Sequence, residues 1–230
     1  MNCLQAFAYQ FKSSRWWKFL LLAIFANLTL FGQPLVVGYG LRTSRRYVRG
    51  EDLPELNSWG SMYWDGLRVI ALFLAYFFTG PLIVFVPAMI AFFSELCGYD
   101  GMIVTVLRDT LPFWAIVGSL LFVAGAGMGT VAYLFLIREG SSLKDCFRRH
   151  DVFGLLCANK WNVAKFILAA FVVYLLFSFI GLGIGWAMQD CMEETIANYI
   201  GISLVYPLAM LVVSALYGQL ALIALPKSVD

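Results

Sequence analysis

Polar and apolar positions fall in blocks along this chain, with long apolar stretches separating tight clusters of charge. Four stretches, 66–93, 113–137, 166–187 and 197–225, reach the roughly 20 mostly apolar residues that a helix needs to cross a bilayer. Each predicts one transmembrane helix. Pro81 and Pro87 in the first and Pro207 in the last predict kinks, because proline lacks a backbone donor and crowds the carbonyl four residues back. A fifth apolar stretch is shorter and broken. It runs from Phe19 to Gly32-Gln33-Pro34, resumes at Leu35, and leads directly into Arg42, Arg45, Arg46 and Arg49. Lys12, Arg15 and Lys18 precede it, so both flanks are basic. An apolar run of about 14 residues suits a re-entrant or interfacial segment, and residues 16–50 are expected to form a broken hairpin that dips in and returns. A single crossing, which would give five spans, is the alternative. Ahead of the hairpin, Leu4, Phe7, Ala8 and Phe11 share one helical face, predicting a short interfacial helix within 1–15.

Charge then sets an orientation. With the hairpin in place, every Lys and Arg except Arg108 lies on one side of the membrane, while Glu95, Asp100, Asp109, Asp190, Glu193 and Glu194 lie on the other. Cytoplasmic loops carry the excess of basic residues, so both termini are expected to be cytoplasmic. Trp16, Trp17, Trp59, Tyr63 and Trp64 flank the apolar stretches, as interfacial aromatic residues do. The chain is 61% hydrophobic and 13% charged, with a mean hydropathy of +0.80. A soluble domain carries about 25% charged residues, so lipid must be the solvent for most of this surface. The expected fold is all-α, a polytopic integral membrane protein in one domain over 1–230. It has four full transmembrane helices plus the N-terminal hairpin, and no leader pattern in its first residues.

Candidate chemistry is sparse. Arg42, Arg45, Arg46 and Arg49 line one helical face at headgroup level, and Arg148 and Arg149 stand in the second basic loop. Together they make a candidate surface for lipid headgroups or a partner, or else a topological anchor ion-paired to Glu51, Asp52 and Glu55. Ser142-Leu143-Lys144-Asp145 reads as a capping-box-like helix start. Cys146 and His150 have the i, i+4 spacing of one helix face, but with Cys157 they form too scattered a set for a metal site. No cofactor is expected. Gly125 with Gly129, and Gly181 with Gly185, are small-xxx-small pairs that let helices approach closely. Cys97 and Cys191 both fall in the acidic outer loops and are a candidate disulfide. The span interiors carry no Asp, Glu, Lys, Arg or His, which argues against proton coupling and intramembrane catalysis. A loose internal echo pairs Tyr39, Arg49-Gly50 and Trp59-Gly60 with Tyr133, Arg138-Glu139-Gly140 and Phe153-Gly154. It would fit an ancestral duplication.

The segment from Gly38 to Leu67 carries a resemblance. Gly38-Tyr39, Leu41-Arg42, Arg49-Gly50-Glu51, Leu53-Pro54-Glu55, Trp59-Gly60 and Asp65-Gly66-Leu67 are similar to a prokaryotic membrane family catalogued as domain of unknown function 4013. The chain departs from that pattern at Leu56, Asn57 and Ser58. The resemblance is carried mainly by residues 10–90 and implies a multi-pass protein of a prokaryotic inner or internal membrane, with no assigned activity. The functional expectation is a non-catalytic accessory, assembly or scaffold subunit of a larger membrane protein complex. Its partners would be membrane lipids and other integral membrane proteins, not nucleic acid. A transporter or lipid-handling protein is the alternative.

Overall fold

A computed structural model describes residues 1–12, 16–27, 32–56, 58–97, 102–138, 142–189 and 191–225. Arg15, Asn57, Asp100, Glu139, Gly140, Asp190 and Lys227 lie outside these residues, as do the side chains of Lys18, Glu95, Arg108 and Arg149. The described elements are all helical: α1 (Cys3–Gln10), α2 (Trp16–Asn27), α3 (Gln33–Arg49), α4 (Trp59–Phe77), α5 (Thr79–Leu96), α6 (Met102–Ile137), α7 (Arg149–Met188) and α8 (Glu194–Ala224). A single 3-10 turn, Asp145–Phe147, precedes α7.

Among the described residues, three helices are long and apolar enough to cross a bilayer, over Asp109–Ile137, His150–Met188 and Glu194–Ala224. The fourth expected span, 66–93, is not one helix. α4 stops at Phe77 and α5 starts at Thr79. Pro81 cannot donate to the Phe77 carbonyl, so the helical ladder fails there and the rod bends. The expected break thus ends one helix and starts another, whereas α5 and α8 run through Pro87 and Pro207. α6 begins earlier than expected and takes in Arg108 and Asp109. α7 also begins early, and Asn159 interrupts it at φ −117°, ψ 19°. The Asn159 amide donates to the Leu155 carbonyl at 3.3 Å, a local bond that competes with the helix's own ladder and bends it.

The segment 16–50 folds back on itself. Phe19 in α2 stacks on Tyr39 in α3 with ring centroids 3.7 Å apart. Lys12, before the hairpin, meets Asp52, after it, at 3.3 Å. A straight crossing by about 20 residues would hold those two groups some 30 Å apart. Pro34 occupies the first turn of α3, where its missing donor costs nothing. Gly50, at φ +71°, ends the helix; its N–H donates to the Tyr47 carbonyl at 3.1 Å, and the Glu51 N–H to the Arg46 carbonyl at 3.0 Å. This is a Schellman closure, for which a glycine in the left-handed region is favoured.

α8 is the hub. It packs on α7, α3, α1, α2 and α6, and Leu211, Leu216 and Leu220 along it are fully buried. α1 lies on the C-terminal part of α8. The Asn2 N–H donates to Gln219 Oε1 at 2.9 Å, and Gln219 Nε2 donates back to the Asn2 carbonyl at 3.0 Å. Gln219 also donates to the Tyr47 hydroxyl at 3.2 Å, tying α3 to the same place. Ala6 and Gln10 face inward on α1, while Leu4, Phe7 and Phe11 face outward, the two-faced arrangement of an interfacial helix.

Candidate functional site

The charged residues of the first linker converge where α3, α4 and the end of α6 meet. Arg42 donates through Nε to Asp65 Oδ2 at 3.4 Å, through Nη1 to Ser58 Oγ at 2.9 Å and through Nη2 to Ser61 Oγ at 2.7 Å. Arg45 donates twice to the Leu136 carbonyl, at 3.1 and 2.8 Å, and lies 3.8 Å from Asp65. It thereby satisfies a carbonyl that the end of α6 leaves without a helical partner. Asp65 is only 13% exposed and also meets Arg68 at 3.8 Å. Ser58, at the head of α4, is the one described non-glycine residue with a left-handed backbone, at φ +70°. The fork of Arg42 holds its side chain.

Of the six arginines expected to form a docking surface, Arg42 and Arg45 are turned inward on Asp65. Arg46 and Arg49 pair with Glu51 at 3.5 and 3.6 Å, and Arg148 pairs with Asp145 at 3.5 Å. These last three side chains keep substantial exposure. Glu51 plays the expected pairing role, and Asp52 pairs with Lys12 instead. The role of Asp65 was missed because it lies more than twenty positions from Arg42 and on another helix. Its one sequence signal was its place in Asp65-Gly66-Leu67.

The second basic loop differs from expectation. The Ser142 N–H and hydroxyl both donate to Asp145 Oδ2, at 2.7 and 3.1 Å, and these bonds hold the Asp145 carboxyl below the usual carboxylate range. The capping-like motif therefore forms, but it opens the 3-10 turn and not α7. Cys146 lies in that turn and His150 in α7, so they do not share a helix face. Cys146 is buried, the Tyr76 hydroxyl donates to its carbonyl at 2.8 Å, and burial pushes its thiol up to about 11. His150 is fully exposed beside Asp151. Among the described residues no three His, Cys, Asp or Glu side chains gather as metal ligands would.

Cys97 and Cys191 are both exposed free thiols, so the expected bridge is not formed. Cys97 follows α5, which packs on α6 and α4, whereas Cys191 sits between α7 and α8. The two cysteines belong to different helix pairs.

The glycines pack within the chain. A Cβ on Gly125 would collide with the Tyr76 carbonyl, and one on Gly129 would press on Tyr76 and Phe77. Gly181 and Gly185 lie against α8 at Gly201, Ile202 and Asn198. Tighter still are Gly38 against the Met62 carbonyl and Gly66 against the Pro34 carbonyl, where α3 and α4 touch backbone to backbone. Their 28-residue separation hid this pair, which only the α3–α4 contact brings together. Tyr39 joins the cluster by donating to the Pro54 carbonyl at 3.1 Å. The elements that carry the resemblance therefore contact one another: Gly38 and Gly66 in one helix crossing, Arg42 and Asp65 in one ion pair, Tyr39 and Pro54 in one hydrogen bond.

Between α3, α4, α6, α7 and α8 lies a cavity of about 520 Å³, lined by Val69, Phe73, Phe77, Tyr133, Phe166, Tyr174, Tyr206 and Tyr217 among others. Some of its hydroxyls are turned to the protein. Tyr133 shares a hydrogen bond with Ser44 at 3.4 Å, and Tyr174 donates to Met210 Sδ at 2.9 Å.

Residues 21–188 match the family described as Protein of unknown function (DUF4013). The chain belongs to this DUF4013 family. The match extends well past the region whose motifs suggested it, through α4, α5, α6 and all of α7. DUF4013 membership brings no assigned chemistry to the charged node or the cavity. No curated protein and no solved structure matches the chain.

Proposed function

We propose that this DUF4013 protein is a non-catalytic multi-pass membrane protein that serves as an accessory, assembly or scaffold subunit of a larger membrane complex. The outward face of α7 carries this reading. Only 11% of its apolar window is buried against the rest of the chain, compared with 61% for α8. Leu175, Leu176, Phe179 and Leu182 are exposed on it, and Gly183 stands open with nothing near its missing side chain. A small residue on an outward face lets a second helix come close.

Trp161, just past the kink at Asn159, and Trp186, near the C-terminal end of this helix, are both largely exposed. At 1.5 Å per residue they lie about 37 Å apart, a spacing that suits interfacial belts around a hydrocarbon core of about 30 Å. α6 is 36 residues long, and α4 runs beside it in the opposite sense, with Phe73 near Tyr133 and Phe77 near Phe122. The bent α4–α5 rod is then how the chain returns across the bilayer beside α6. The contact of Asn2 with Gln219 keeps α1 and the end of α8 on one face, and the basic loops make that face cytoplasmic. There the exposed heads of Arg46, Arg49 and Arg148 meet anionic headgroups, each worth about 1 kcal/mol. The membrane is a prokaryotic inner or internal one.

A photo-activated cross-linking residue at Phe179, used in native membranes, tests the assignment. An adduct with a second membrane protein, weakened by Gly183→Leu, is the expected result. Recovery in mild detergent as a lone monomer, with no protein adduct, would overturn it. The apolar cavity favours a second reading, the lipid-handling one. Its walls are wrong for the water-filled path of an ion or solute transporter.

A further inference from the structure

We propose that the 520 Å³ cavity is a binding site for one acyl chain of a membrane lipid, entering sideways from the bilayer past Leu74, Phe78 and Phe122. Three observations commit the site to this occupant. The lining residues Leu74, Phe78 and Phe122 are themselves exposed on the apolar outer surface, so the cavity opens where lipid tails lie. Its wall is mostly aliphatic and aromatic, and the Tyr133 and Tyr174 hydroxyls are engaged by the protein. A water needs two to four polar partners to enter, and most of this wall is apolar. The volume falls within the range of small-molecule pockets, and it is more than three times that of a cavity of about 150 Å³ known to take benzene.

Phe78, between α4 and α5, stands at the rim of the cavity. Gly125 and Gly129 draw α6 onto α4 at Tyr76 and Phe77, and α5 beyond the bend packs on α6 as well. The inference deepens the lipid-handling reading and stands apart from the partner-subunit one.

The test uses the full chain reconstituted in vesicles of phosphatidylcholine containing a share with a diazirine on one acyl chain. After illumination, labelled residues are mapped by mass spectrometry. Label is expected at Phe73 and Ala170, on the cavity wall, as well as on the outer face of α7. Ala170→Trp, which fills the cavity, should cut the Phe73 label at least ten-fold and leave the α7 label unchanged. Ala126→Trp fills it from the α6 side and should do the same, which covers the case in which one variant fails to fold. Label on α7 without label at Phe73, or Phe73 label that persists in folded filled variants, would overturn the proposal. Movement of fluorescent lipid between vesicles is measured in parallel. Cavity label without movement would keep the site and sink lipid handling, whereas movement without cavity label would sink the site.

Discussion

Cys146 shows what a single residue's surroundings do here. It is the one buried cysteine of the five, held by the Ser142 turn and by the Tyr76 hydroxyl on its carbonyl. With its thiol pushed up to about 11, the thiolate fraction at pH 8 falls about 100-fold below that of an ordinary cysteine. Maleimide labelling at pH 8, followed by peptide mapping, should therefore find Cys146 at least 100-fold slower than Cys3. Tyr76→Phe should speed it by loosening the turn. Equal rates for Cys146 and Cys3 in the folded protein would contradict the burial. The raised value also fixes a sign: the folded chain keeps this thiol protonated through the neutral range, so the stability present below the ordinary thiol range is lost as the pH rises from there to about 11. Burial of this kind was not legible from sequence, because Cys146 stands in a loop of Arg, Lys and His where exposure is the default.

Helix contacts turn on which glycines face a backbone. Gly66 meets the Pro34 carbonyl and Gly38 the Met62 carbonyl, whereas Gly60 and Gly154 face open space. Gly66→Ala must separate α3 from α4 and should cost about 3 kcal/mol, within the range for overpacked sites. Gly154→Ala should stabilise by about 0.5–1 kcal/mol, because only the helix propensity of glycine is at stake. Unfolding in detergent, followed by circular dichroism, reads both. The small-xxx-small spacing pointed to Gly125, Gly129, Gly181 and Gly185, all of which do lie at helix crossings. It could not point to Gly38 and Gly66, which form one crossing from two helices. Proline had a similar ambiguity. Pro81, Pro87 and Pro207 look alike in sequence, yet only near Pro81 does the helix end, at a position where Gly80 adds its own weakness to the lost hydrogen bond.

For the molecule as a whole, Asp65 is the counter-charge that joins three helices. Arg42 and Arg45 from α3 close on it from one side, and Arg45 carries the bond on to the end of α6. Asp65→Asn should destabilise the protein by about 3 kcal/mol, since two partly buried guanidinium groups would face each other without a carboxylate. Arg42→Lys keeps the charge but loses the fork to Ser58 and Ser61, and should cost about 1–2 kcal/mol. A shift of less than half these sizes in both variants would mean that the node is ornamental. Alanine at Arg46 or Arg49, whose heads stay partly exposed, should leave stability nearly unchanged, as exposed pairs contribute little. Those variants should instead weaken attachment to anionic vesicles.

By itself the sequence determined the all-helical class and the apolar helices long enough to cross a bilayer. Blocks of apolar residues longer than a bilayer is thick leave no choice but lipid, and helices alone satisfy their backbone there. Lys12 and Asp52, on the two flanks of residues 16–50, meet in the folded chain. What only the tertiary structure decided was which groups meet. The division of 66–93 at Phe78 depends on a ladder bond lost at Pro81 and on α6 supporting both halves. Asp65 as the centre of the arginine cluster, the separation of Cys97 from Cys191, and the apolar cavity all arise where segments distant in the chain come within a few ångströms. Hydropathy is a sum over neighbours in sequence and carries no record of such pairings.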